Sequence, residues 1–516
     1  MRWRTFPGPW FWALLCLAFN VLWHGANVYH LRTDSPEALR GGLLVRTADD
    51  ASYIVPPVNA MAGRGWRDNS AGTGAWVLRA PGYGLWYLCH WLLFSEGALP
   101  WALFASQLLL WCAFVWAFAS WGCTWVEAAW PHRVLTVALA VLPMYSGFLG
   151  YTLTEAITPA LVGFVLLAFA KWRGAPCDLR MLYTAFALLG ILVLVRPSML
   201  MWCLVPVVLV LWGAVPRPWF HLATAALLAA APTVVWQWRC AQVAGSWQGL
   251  HPVYHADATD LYRPLHGSVW RWHKSWGQSA QVFHTGMLGL WAAAGDSSAT
   301  EAAVQRILVG HHPQALVAVP RDSLQAAYRR YAKLLAAQKP YHEQNRPMPG
   351  LQPGEAALAN TFERHARTYV QSFPIHSQWV VPLKVYMGMA AHSNLSLYLF
   401  QRSWRGHALM EALRWCCAVL HFAVFLLFPF CIAAIWRKPL HLATYMAVGV
   451  YLYYLAFVQR GVEERYTLPV LFPMCAVVAV AVYDAMAPFA ERFPGMQAKG
   501  VWRRWFKDWA PPRGRG

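Results

Sequence analysis

The stretch "PWFWALLCLAFNVLWHGANVY", Pro9 to Tyr29, carries no charged side chain, and the chain beyond it soon presents two adjacent acids, Asp49 and Asp50. A helix needs about 20 apolar residues to cross the hydrocarbon core of a bilayer, and this run has that length. The basic "MRWR" before it places the N-terminus in the cytoplasm under the positive-inside rule, so Asp49, Asp50 and Arg79 are expected outside. A basic start and an apolar core also describe a signal peptide. The run is long, however, and further apolar runs follow it, which favours an uncleaved first helix.

Composition agrees. Of the 516 residues 58% are hydrophobic and 13% charged, with a mean hydropathy of +0.34. Soluble domains carry about 25% charged residues, so half that proportion suits a chain solvated largely by lipid. The expected class is an all-α polytopic membrane protein. Its net charge of +19 gathers in short segments between apolar runs and in the tail. Such segments read as cytoplasmic flanks with anionic lipids as their partners, so no nucleic-acid partner is implied. The eleven cysteines lie mostly inside apolar runs and show no metal-ligand spacing. They give no disulfide framework.

Further spans are expected near 83–95, 100–121, 133–150, 155–171, 181–196, 198–214, 218–238, 408–435, 441–459 and 467–486. Counting both 83–95 and 100–121 as crossings spoils the alternation of sides, which leaves ten or eleven spans and one early piece that is short or interfacial. The division is a membrane module over 1–240, whose first outer loop is 30–80, a polar extracytoplasmic region over 241–405, C-terminal membrane helices over 406–490, and a basic cytoplasmic tail over 491–516. The polar region reads as helical. "RDSLQAAYRRYAKLLAAQ" offers Asp322 as a cap with Gln325 three residues on, and Leu324, Tyr328, Tyr331 and Leu335 recur at helical spacing. "EAALANTFERHARTYVQSF" repeats the pattern through Leu358, Phe362, His365 and Tyr369 until Pro374 ends it.

Ionisable residues inside membrane spans usually mark an ion or substrate path. Here the span interiors are almost free of Asp, Glu, Lys and Arg and hold neutral-capable groups such as His90, Gln107 and His421, while Asp49, Asp50, Arg79, Glu155, Arg196, Glu463, Glu464 and Arg465 collect at the outer ends. One layer of charge at that depth suits a donor whose lipid tail lies in the bilayer and whose phosphate lies at headgroup level. Transfer of a group from such a phosphate needs a carboxylate to take the acceptor's proton and cations, or a divalent ion, to stabilise the departing phosphate. Other roles are open to the same residues. Asp49 and Asp50 can cap a helix or sit in a solvated loop, Glu155 can cap the helix it precedes, Arg196 can anchor a helix end before Pro197, and Arg465 can bridge to Glu463 or Glu464. "HH" at 311–312 and the scattered His251, His255, His376 and His392 lack ligand spacing.

"DDASY" at 49–53, "RAPGYGLWYL" at 79–88, "TLTEA" at 152–156, "LVRPSML" at 194–200 and "ERYTLPVLFP" at 464–473 follow one another in an order that resembles the polyprenyl-phosphate-sugar-dependent GT-C glycosyltransferases, the superfamily of protein O-mannosyltransferases and of the lipid A aminoarabinose transferase. The likeness spans most of the membrane chain and leaves 241–405 without a specific match. It implies a GT-C-like helix bundle and transfer of a sugar from a polyprenyl phosphate, with inversion, to a glycolipid, polysaccharide or protein hydroxyl on the outer face of a bacterial-type cytoplasmic membrane, as in cell-envelope glycan assembly or lipopolysaccharide modification. It further implies Asp49 as the catalytic acid, with Asp50 and Glu155 as further acids. Arg79, Tyr83, Arg196 and Arg465 fall at the donor phosphate, with Tyr53, Glu464 and Tyr466 beside them. Arg79-Ala80 replaces the Lys-Pro pair usual in the lipid A enzyme, which leaves the acceptor open, and the resemblance fixes no cofactor beyond a possible divalent cation. A lipid-linked oligosaccharide ligase and a lipid-linked sugar flippase are the alternatives; the flippase requires a polar path and broken helices, which the spans do not display.

Overall fold

The computed structural model describes residues 6–47, 49–69, 76–212, 219–244, 247, 264–344, 351, 353–392, 406–461 and 463–492. The basic tail from 493 onward, and the stretches 248–263 and 393–405 that flank the polar region, lie outside the described residues. The chain is an all-α polytopic membrane protein. Among the described residues six helices are long and apolar enough to cross a bilayer: Pro9–Asp34, Leu99–Trp121, Trp219–Val243, Ala408–Ile435, Pro439–Gln459 and Arg465–Met486, and two shorter apolar helices cover Leu179–Val195 and Pro197–Leu211.

The membrane bundle opens with α1 (Pro9–Asp34), a hairpin of β1 (Leu39–Arg40) and β2 (Leu44–Val45), α2 (Ala51–Met61), α3 (Gly82–Leu93), α4 (Leu99–Trp121) and α5 (Ala129–Val141). It continues through α6 (Thr158–Gly174), α7 (Leu179–Val195), α8 (Leu204–Leu211) and α9 (Trp219–Ala244). The early conflict over spans resolves in helix lengths. Helix α3 has 12 residues and rises only about 18 Å, well short of a hydrocarbon core of about 30 Å. The expected span at 133–150 is likewise shortened, because α5 stops at Val141 and Pro143 starts a separate single turn. Helices α6 and α7 pack along each other, α9 lies on the far side of α7, and α1 packs on α4 and α5. Leu103, Phe114, Val115, Phe118, Leu166 and Phe169 fill the shared core.

The polar region folds as a helical cap, α10 (Pro264–Trp276), α11 (Ala280–Ala293), α12 (Ser297–Val309), α13 (Pro313–Ala318), α14 (Arg321–Glu343), α15 (Pro353–Ser372) and α16 (Val381–Ala390). The bundle then closes with α17 (Ala408–Leu427), α18 (Pro439–Tyr453) and α19 (Leu468–Arg492). The cap has its own core, in which Leu324, Tyr328, Tyr331, Leu335, Leu358, Phe362 and Tyr369 are buried as their spacing predicts. One local expectation fails. Helix α14 begins at Arg321, two residues early, so Asp322 sits in its first turn rather than at its cap, and Gln325 donates instead to Glu301 of α12 at 2.7 Å. A cross-helix carboxylate has displaced the capping box.

Cap and bundle meet at the turn between α18 and α19. Helix α18 runs into a π-helical turn, Tyr454–Gln459, that packs on α16, and a short 3-10 turn, Glu464–Thr467, leads into α19. That turn reaches the end of the bundle where the acidic first loop lies.

Candidate functional site

The first loop is shaped by glycines. In the hairpin "LRGGLLV", Gly41 and Gly42 both take left-handed φ values of +55 and +66, a conformation that is cheap for glycine and strained for other residues. Arg32, at the end of α1, donates to the Gly42 carbonyl at 2.9 Å and 3.1 Å, and Val45 N donates to Gly150 O at 2.8 Å. The hairpin thereby ties the first loop to the segment that carries "TLTEA". A second close approach is made by Gly82 at the start of α3, where a Cβ would stand 2.5 Å from the Val195 nitrogen. This contact brings Arg79, just before α3, to the end of α7, where Arg196 follows.

Around this frame the guanidinium and carboxylate groups converge. Arg465 is the hub: its Nη2 lies 2.5 Å from Asp49 Oδ2, and its Nε is 2.7 Å from Glu463 Oε2 and 3.8 Å from Glu155 Oε1. Arg79 Nη2 stands 3.7 Å from the other Asp49 oxygen, its Nη1 donates to Ser52 Oγ at 2.5 Å, and its guanidinium stacks 4.5 Å over the Tyr53 ring. Arg196 Nη1 donates to Glu155 Oε1 at 2.9 Å and lies 5.3 Å over the Tyr466 ring. Thr154 Oγ1 donates to the second Glu155 oxygen at 3.0 Å. Asp49, Glu155, Arg79, Arg196 and Arg465 thus form one connected cluster across loops from four parts of the chain.

The two adjacent acids separate in role. Asp50 occupies the cap position of α2 but makes no side-chain cap bond; its carboxylate is buried and accepts from Arg40 Nη2 and Thr152 Oγ1, each at 3.2 Å. It holds the hairpin to the 152 segment. Asp49 keeps 37% of its side chain exposed, whereas Glu155 keeps 4%. Of the acids at the centre of the cluster, Asp49 is the one open to an incoming molecule. Burial alone would raise the Asp49 carboxyl, but Arg79 and Arg465 outweigh it and hold the group below its ordinary value. Glu155 behaves alike, with burial opposed by Arg196 and Arg465 and the net shift downward. Both are ionised.

Tyr83 is placed differently from the expectation that it serves a donor phosphate. It is fully buried, its hydroxyl donates to Gln107 Oε1 at 2.9 Å, and its ring meets Tyr53 edge-on at 5.4 Å. Tyr83 sits on the inward face of α3 and supports Tyr53 from behind. Tyr466 presents its ring to Arg196 and Arg465, while its carbonyl accepts from the Tyr451 hydroxyl at 2.9 Å. Glu464 opens the 3-10 turn, and its side chain lies outside the described atoms. Arg40, Ser52, Thr152 and Thr154 join the site without having been singled out as site residues. Arg40 had a signal, being a cation in the same loop as the acids; the hydroxyl groups had none beyond adjacency to Asp49, Asp50 and Glu155. Among the described residues no group of three or more His, Cys, Asp or Glu side chains is arranged to hold a metal ion.

No protein-family model and no curated protein matches this sequence. Among solved structures, the chain is similar to the crystal structure of ArnT from Cupriavidus metallidurans in the apo state, at 14% identity and a TM-score of 0.33, over 88% of this chain and 76% of that one.

Proposed function

We propose that the chain is a GT-C-type membrane glycosyltransferase that moves a sugar from a polyprenyl phosphate to an acceptor hydroxyl at the outer membrane boundary. The observation that carries this reading is the half-open Asp49 carboxylate, held ionised between Arg79 and Arg465 at the end of an apolar bundle. Asp49 takes the proton of the acceptor hydroxyl; the oxygen attacks the anomeric carbon as the bond to the phosphate oxygen breaks, and the configuration inverts. The polyprenyl phosphate leaves as an anion, and a guanidinium can hold it bidentately.

The same arginines give the acid and the phosphate a common control. A carboxylate held low by two guanidinium groups is a weak base, whereas an efficient general base has a pKa near the working pH. A donor phosphate drawing Arg79 and Arg465 toward itself removes part of the charge that depresses Asp49 and strengthens it as a base. Asp49 then becomes competent when the donor is in place.

Reconstitution with defined polyprenyl-phosphate sugars, with mass spectrometry of glycolipid, polysaccharide and protein acceptors, tests the reading; release of polyprenyl phosphate without the Asp49 carboxylate, in Asp49→Asn, counts against it and in favour of an oligosaccharide ligase. Orientation is tested separately. Val309 is 76% exposed on the cap, and Val309→Cys, in a background lacking the exposed Cys89, Cys177 and Cys416, should react with an impermeant maleimide added outside intact spheroplasts. Reaction only after permeabilisation reverses the assigned sides.

A further inference from the structure

Apart from the Asp49 cluster, the turn after α18 holds a second concentration of positive charge. The π-helical turn Tyr454–Gln459 ends at Arg460, which takes a left-handed φ of +56. Glycine is the usual occupant of that conformation at a helix end, since a Cβ is strained there. Here the glycine, Gly461, comes one residue later, and the strained position keeps an arginine. The half-buried side chain donates from Nε to Phe457 O at 2.9 Å and from Nη1 to Ser377 Oγ at 3.4 Å.

Lys274, near the end of α10 in the cap, reaches the same turn and donates to Val458 O at 3.3 Å. The Trp270 ring lies 5.9 Å from its ammonium, and the same indole presses on Gly461, where a Cβ would stand 2.6 Å away. The turn, the lysine and the arginine are therefore fixed against one another. Among the described residues neither Lys274 nor Arg460 has a carboxylate within ion-pair reach, whereas the neighbouring Arg271 is taken by Glu363 at 2.8 Å and Arg465 by Asp49 and Glu463. The carbonyls at a helix C-terminus favour nearby cations, but they occupy one donor on each side chain. Lysine has three donors and arginine five, so most remain for a ligand, and two like charges brought together without a counter-ion destabilise the junction until one arrives.

We propose that Lys274 and Arg460 form an oxyanion site at the junction of cap and bundle, which takes the phosphate of a lipid headgroup or of a soluble phosphorylated molecule. Arg460 provides a planar fork and Lys274 a point charge, and a phosphate between them supplies the negative partner that both lack. The site shares no side chain with the Asp49 cluster, although Arg460 and Arg465 belong to the same connection between α18 and α19. It does not depend on the glycosyl-transfer reading, since its test measures binding alone.

The test uses the wild-type protein in phosphate-free detergent, acylated at trace level and mapped by peptide mass spectrometry. Burial, with Arg271 and Arg460, pushes the Lys274 ammonium down to about 8, so at mildly alkaline pH a measurable share of it is unprotonated and reactive. One arm adds inorganic phosphate and the other adds phosphatidylglycerol to the micelles. Protection of Lys274, with the exposed Lys333 unchanged, is expected in at least one arm. Protection by inorganic phosphate identifies a soluble source, and protection by phosphatidylglycerol alone identifies a headgroup. Protection in neither arm overturns the site. Arg460→Gly relaxes the left-handed backbone and so should fold. It should need at least about tenfold more ligand for half-protection, the loss expected for a charge-assisted bond; an unchanged half-protection concentration overturns the role of Arg460.

Discussion

The cluster around Arg465 and the core of the cap both bury polar, titratable side chains, but by opposite means. In the cluster, charge is met by charge, with Asp49, Glu155 and Glu463 around Arg465 and with Arg196 on Glu155. In the cap the groups are kept neutral. Tyr328 joins His273 and His311 through its hydroxyl at 2.7 Å and 3.2 Å, and Trp272 donates to His311 at 3.0 Å. Burial pushes His311 and His266 down to about 4, and burial with the neighbouring His311 and His266 pushes His273 well down too. The neutral network of the cap is enclosed and carries no charge to trade with an ionic ligand. A network of ions that reaches solvent, as this one does at Asp49 and Glu463, can also exchange a partner for a substrate. That difference underlies the chemistry proposed for the first region and the packing role given to the second.

The strongest way to break the contrast is Asp49→Asn. Loss of a general base typically costs about 10²–10⁴ in rate, so sugar transfer should fall by that factor while donor binding and thermal unfolding stay near wild type. Asp50→Asn should cost distinctly less in rate and more in stability, because it takes the counter-charge from Arg40 and leaves Arg40 and Thr152 a neutral, weaker acceptor. Equal, mild losses in rate at both positions dissolve the distinction between them.

Arg465→Met removes the hub. Breaking a buried ion pair from one side typically costs about 3–5 kcal/mol, so thermal unfolding in detergent should shift down clearly. Arg465→Lys should recover much of that stability and little of the activity, since the fork is lost while the charge stays.

Acid should separate the two regions. The cap histidines are depressed below an ordinary value of 6.5, so the stability from burying them neutral is complete above that pH. It is lost as pH falls toward about 4, where burial places His266 and His311. The Asp49 and Glu155 carboxyls are depressed as acids, so their contribution is present above the ordinary values of 3.8 and 4.5 and is lost only as pH falls below them. At pH near 5, between these windows, amide exchange should rise in the helices of the cap and stay low at the loops around Asp49 and Arg465. The smallest effect is expected from Tyr328→Phe. Deleting the hydroxyl leaves the buried His273 Nε2 short of a partner, at about 1–3 kcal/mol, while His311 Nε2 keeps Trp272, with cap unfolding lowered and donor binding unchanged.

Much of this architecture is legible in the chain alone. Apolar run length, scarcity of charge and helical spacing declare the membrane class and the helices of the cap, because those signals depend only on local burial and period. The order of the charged fragments likewise marks which residues to watch. Short fragments could not reveal that Asp50 turns inward to Arg40 while Asp49 stays open, since neighbouring residues on a helix point about 100° apart and only the packed environment says which direction is the core. Nor could they place Tyr83 on Gln107, or show His311 and His273 as a neutral core rather than a surface pair. The meeting of Arg465 with Asp49, 416 residues apart in sequence, is decided by how α19 packs on the rest of the bundle, and an ion pair at that separation leaves no local trace in the chain.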